Sequence, residues 1–229
     1  MIIAIHQPNY LPWCGYFHKM LSCDLFVILD DVPFSKTAIT HRNKIKSPDG
    51  PRLLTIPLAH KNGLINEVTI SSDSKWAQNH WTTIQRNYAR APFWKEFKDL
   101  FLPIYENPDE KLALFNLRII EVMRTILEIN TPIILSSEIP DSTGHKGEKI
   151  INLCKSLHAT IYLSGTGAKV YNDEKEFERN QISLVYQKFD HPQYTQLWGD
   201  FSPNLSAIDL LFNCGPKSKE LIQKQVIHE

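Results

Sequence analysis

MIIAIHQPNYLPWCGYFHKMLSCDLFVILDDV, Met1 to Val32, decides the fold. Its first residues, Met1 to Ile5, form an apolar run of strand length. A loop carrying His6, Gln7, Asn9, two prolines and two aromatics follows. Tyr16 to Leu21 then reads as a short helix, and the apolar run inside Asp24 to Val32 has the composition of a strand buried on both faces. Strand, loop, helix, strand is one right-handed βαβ unit. Such units predict an α/β protein with a mostly parallel sheet of Rossmann-like or nucleotidyltransferase-like type. Ligands of these sheets sit beyond the carboxyl ends of the strands, where the His6 to Trp13 loop and Asp30-Asp31 would lie.

Working outward, Lys36, Arg42, Lys44 and Lys46 form a local cationic cluster ahead of a Pro-Asp-Gly-Pro turn. A strand from Leu53 to Leu58 and a second at INEVTI suggest a small antiparallel insertion. From Lys75 to about Ile129 the pattern is helical: Trp76, His80, Ile84 and Tyr88 recur every four residues, and Pro92, Pro103 and Pro108 divide the region into three helices. TPIILSSEI, TIYLSGTGA and LVYQKFD read as further strands. Lys146 to Leu157 and Ser206 to Asn213 read as helices, the latter stopped by Gly215 and Pro216. No linker or repeat interrupts the chain, so one domain over residues 1–229 is expected.

At 229 residues and 42% hydrophobic content the chain can bury a sizeable core. Its 25 Lys plus Arg balance 25 Asp plus Glu, which gives no general attraction to nucleic acid or anionic membranes. Cys14, Cys23, Cys154 and Cys214 show no CxxC spacing, so neither a zinc site nor a disulfide framework is expected. No signal peptide and no run of membrane-spanning length is found, so a cytoplasmic protein without membrane insertion is expected. Serine-hydrolase, zinc-peptidase and calcium-loop patterns are missing too.

His6, Gln7 and Asn9 are the candidate catalytic residues, with support of the loop's own backbone as the alternative role. Ser164, Gly165 and Gly167 could cradle a phosphate ahead of Tyr171, although a plain tight turn would use the same residues. The guanidinium of Arg42 beside Asn43 suits a phosphate or carboxylate, while His80 on its aromatic stripe reads as a packed core histidine. Asp209 and Asn213 share one helix face and either tie that helix to a site loop or cap it.

IHQPNYLPWCGYFHK, DLFVILDDVPFSK, HRNKIK, LSGTGAKVY and FDHPQYTQLWGDFSPNLSAIDLLFNCGP together resemble the WbqC-like protein family over nearly the whole chain. That resemblance implies a role in O-antigen or related bacterial surface-polysaccharide synthesis, as a transferase placing glycine on an amino sugar. Carried onto these motifs, it makes His6 a general base of near-neutral pKa, Gln7 and Asn9 its orienting partners, and Arg42 with Lys36 the diphosphate ligands. The substrate- or phosphate-binding set then also includes Tyr10, Gly15, His18, Asn43, Ser164, Gly165, Gly167, Tyr171, His191, Tyr194, Asp209 and Asn213. No metal site is implied. Expected partners are a sugar nucleotide and an amino-acid or acyl donor. Charged tRNA as that donor is the one nucleic acid allowed for, and a homo-oligomer is compatible with the sequence. His158 stands where the family usually has glycine after a helix, so a left-handed backbone is expected there.

The opening also resembles the nucleotidyltransferases with a HIGH motif, which would place Gly15 and His18 at ATP phosphates. That reading implies an ATP-dependent amide ligase using ATP with magnesium. A non-catalytic sugar-nucleotide binding or scaffold protein is the alternative outside enzymes.

Overall fold

The structure is a computed structural model that describes residues 1–36, 39–73, 75–170 and 172–224. Strand β1 (Ile2–His6), helix α1 (Cys14–Leu21) and strand β2 (Leu25–Ile28) form the expected unit, with β1 and β2 parallel and His6 opposite Ile28. Burial drives it: Ile3, Ala4, Phe26 and Val27 are all fully enclosed. At roughly 25 cal/mol per Å² of apolar surface, such strands are stable only when both faces are covered.

The next segment departs from expectation. Arg42 to Ser47 is itself a strand, β3, paired antiparallel with β4 (Gly50–Thr55) about a turn at Pro48 and Asp49. The cationic cluster hid it, because Lys46 is almost wholly buried and donates its ammonium to Ser202 Oγ at 2.9 Å and to the Asp200 carbonyl. Strand β5 (Leu58–His60) pairs with β6 (Thr69–Ile70), while Ile65–Glu67 of INEVTI is a 3₁₀ turn rather than strand.

Three helices follow, α2 (Lys75–Tyr88), α3 (Trp94–Glu106) and α4 (Leu112–Ile126). Pro92 and Pro108 separate them, but Pro103 lies inside α3. It sits on the solvent side of the helix, as does Asp99, the residue whose carbonyl loses its donor. His80 packs as expected, bonding Tyr10 Oη at 2.9 Å inside an aromatic cluster with Trp76.

The chain then lays down β7 (Ile133–Leu135), α5 (Gly147–Ser156), β8 (Ile161–Ser164), α6 (Glu174–Arg179), β9 (Ser183–Tyr186), α7 (Ile208–Cys214) and α8 (Ser218–Gln223). Five parallel strands form one sheet in the order β7-β2-β1-β8-β9, which is a Rossmann-like arrangement. The chain builds leftward from β1 through β2 to β7, then crosses to β8 on the other side. Loops therefore diverge at the carboxyl ends of β1 and β8, leaving a crevice between them. His158 adopts a φ of 53°, as its place after α5 predicts.

Candidate functional site

A cavity of about 1420 Å³ opens over that crevice. Its floor carries His6 and Gln7 from the end of β1, with Gly15 and Lys19 from α1. One wall is the turn after β8, Gly165 to Ala168; the other is the loop of Gly144 to Gly147 that starts α5. Trp13 and Phe189, edge to face at 5.4 Å, supply an aromatic flank.

His6 Nδ1 donates to the Gln7 carbonyl at 3.2 Å, which leaves Nε2 as an acceptor. Its ring stands edge-on to Tyr16 at 4.8 Å. Burial, with the Lys19 charge adding to it, lowers its pKa to about 3. The expected near-neutral base is therefore an uncharged hydrogen-bond acceptor in the free protein. Lys19 is itself nearly enclosed, and burial pulls its ammonium down to about 8.

Across the cavity, Asp31 and Lys149 form a buried ion pair at 2.7 Å. Asp30 is held by Ser137 Oγ at 2.8 Å and the Ser137 backbone N–H at 3.0 Å, so the two acids fix the exit of β2 against the exit of β7. The strand-end position foreseen for Asp30-Asp31 holds, with Asp31 facing the cavity.

Of the sequence-derived candidates, His6, Gln7, Gly15, Gly165 and Gly167 meet at the cavity. The others have different places. Asn9 and Tyr10 are buried below it, and Tyr10 Oη is spent on His80 and Tyr105 Oη. His18 accepts from Gln187 Nε2 at 2.8 Å and packs on Phe189, so it backs the wall rather than facing a ligand. Asn43 donates to the Leu11 carbonyl at 2.7 Å and accepts from the Lys44 N–H, pinning the opening loop. Ser164 is enclosed and accepts from Asn172 Nδ2 at 3.0 Å, which orders the turn after β8.

Lys36 is exposed and Arg42 half-buried, and both lie outside the cavity lining. Asp209 accepts from Tyr88 Oη and Tyr194 Oη, each at 2.9 Å, and Asn213 donates to the Asp209 carbonyl. That network ties α7 to α2; burial raises the Asp209 carboxyl. His191 packs on Tyr194 and Phe201 beside it, away from the lining. Tyr171 lies outside the described residues. Five of the candidates thus line the cavity, and the other described ones lie away from it.

Reading the sequence missed Lys19, Lys146, Lys149 and Lys188, which all line the cavity. Lys19 stands inside a quoted motif, but a cation in the last turn of a helix is unremarkable in sequence. Only the long-range approach of the β8 turn makes it a site residue.

Among the described residues no helix is long and apolar enough to cross a membrane. No solved structure matches the chain. A relative in Mycobacterium tuberculosis, named uncharacterized protein Rv1507c, is 35% identical over 225 residues, covering 96% of this chain and 97% of its own. The model of the WbqC-like protein family matches residues 7–221, a span that takes in β1's exit, α1, the β8 turn and α7. The chain belongs to the WbqC-like protein family.

Proposed function

We propose that the protein is an amide-forming transferase that places glycine, or a related acyl group, on the amino group of a nucleotide-linked deoxyamino sugar for O-antigen or another surface polysaccharide. The observation that carries this reading is the size and position of the cavity. Small-molecule sites occupy roughly 300–1,000 Å³, and about 1420 Å³ at the switch point of a parallel sheet has room for two substrates together.

The chemistry follows from the floor. The sugar amine attacks the donor carbonyl, a C–N bond forms, and the donor's leaving group departs with the electrons of its own bond. His6 Nε2 accepts a hydrogen bond from the attacking amine and so aims its lone pair at the carbonyl, while the amine's proton leaves with the departing group. Gln7 orients the amine, and Trp13 with Phe189 flanks a sugar or base ring. Lys146 and Lys188 take the place of Lys36 and Arg42 as ligands of the diphosphate.

The test is incubation of the purified protein with nucleotide-diphosphate amino sugars and a panel of activated glycine and acyl donors, read as the mass gain of the sugar. A gain lost in His6→Ala supports the transferase. Glycine-dependent release of AMP and pyrophosphate from ATP replaces it with the ligase. Sugar-nucleotide binding with no turnover, unchanged by His6→Ala, replaces it with a binding protein.

A further inference from the structure

Lys19 is 3% exposed, yet it lines the cavity floor. No carboxylate among the described residues pairs with it. The Asp31 charge on the far side is taken up by Lys149 at 2.7 Å, and His6 beside it is uncharged. A buried cation without a counter-ion is costly, and proteins keep one where a ligand supplies the missing charge. The backbone opposite is shaped around it. A Cβ built on Gly165 would stand 3.1 Å from Lys19 Nζ, whereas one on Gly167 would meet nothing within 4 Å. The glycine at 165 therefore lets the turn approach the ammonium, and the glycine at 167 borders open space in the same cavity.

We propose that Lys19 and the Gly165–Gly167 turn form a subsite for a singly charged oxyanion, either a carboxylate or one phosphoryl unit of a diphosphate diester. Charge number argues for one negative charge. A single enclosed cation is balanced by a monoanion, while a dianion would leave one charge buried and unmatched. The subsite stands whichever reaction the cavity serves. It also bears on His6, since an anion at Lys19 cancels the charge that acts on the imidazole.

The experiment is competitive labelling of lysines with acetic anhydride, read by peptide mass spectrometry across pH 6 to 11. Acetate serves as the monoanionic probe, a uridine-diphosphate amino sugar as the probe whose two phosphoryl units carry one charge each, and inorganic phosphate above pH 8 as the contrast with two charges on one phosphoryl unit. In the free protein Lys19 should label with a midpoint near 8. Acetate or the sugar nucleotide should move that midpoint upward by about one unit, a tenfold loss of reactivity at neutral pH. Protection by acetate points to a carboxylate source, and protection by the sugar nucleotide alone points to a diphosphate. Gly165→Ala should lower probe affinity by about tenfold through displacement of the ammonium, while Lys19→Met should remove the pH dependence of binding. A Lys19 midpoint that neither probe moves, tighter protection by dianionic phosphate, or probe binding unchanged in Lys19→Met each overturns the proposal. The labelling arm uses the unmodified protein, so it stands even if a variant does not fold.

Discussion

His6 offers a clean separation of chemistry from stability. Among the described residues its ring makes a hydrogen bond to the neighbouring Gln7 carbonyl and an edge contact with Tyr16, so His6→Ala removes little that the fold depends on. Turnover should fall about 10²–10³-fold, the order of loss when one hydrogen bond to the reacting group is removed. The melting temperature should stay within a few degrees, and circular-dichroism melts beside the mass assay check both. Gly15 should respond in the opposite way. An added Cβ would lie 2.3 Å from the Trp13 ring, a wall that cannot yield without moving the aromatic flank. Gly15→Ala should cost about 1–3 kcal/mol in a denaturant titration, in line with overpacking elsewhere. At this scale the sequence exposed the glycines and His6, because their types are unusual just past a strand. It hid Lys19, whose meaning depends on a turn about 145 residues away in the chain.

Elements are joined at the site by a few polar bonds. Asp31 on the exit of β2 and Lys149 on α5 are largely buried, and Lys149 also donates to the Ser142 carbonyl at 2.8 Å. Asp31→Asn alone should cost about 3–5 kcal/mol, because it strands an enclosed ammonium. The double change Asp31→Asn with Lys149→Met should recover most of that loss, and a double-mutant cycle of urea unfolding reads the coupling. Strands β1, β2, β7 and β8 were legible as short apolar runs because parallel strands are covered on both sides. Strand β3 was not. Its alternation of buried Asn43 and Ile45 with exposed Lys44 is broken by Lys46, a cation turned inward onto Ser202. Candidate residues from the last motif lie away from the cavity for a related reason. Polar groups such as Asp209 and Tyr194 look like ligands in sequence, yet they satisfy one another inside the core.

Across the whole molecule, histidine burial sets the response to acid. His6, His18, His41, His80 and His191 all have pKa values lowered by burial, to about 3 for His6 and about 4 for His80. Below the unfolded value near 6.5 the unfolded chain binds protons that the folded chain refuses. Stability is therefore full above that pH and is lost as pH falls toward 4. Asp209, raised by burial, acts with the opposite sign, favouring the folded state as it protonates. Melting temperature should drop steadily between pH 6.5 and 4.5, and His80→Gln should flatten that slope if the fold survives; a melt that holds level across this range would contradict the assignment. The parallel α/β class was readable from the first βαβ unit. The strand order was not, since nothing local to β1 says that β8 becomes its second neighbour.

That strand order has a consequence during synthesis. Strand β1 finds β2 within some twenty residues of leaving the ribosome, but its other edge has no partner until Ile161 to Leu163 emerge. At ~5–20 residues per second the central strand waits on the order of ten seconds with one row of backbone groups unpaired. Nascent chains stalled before β8 should need a chaperone to stay dispersed, and release of the remaining strands should end that need.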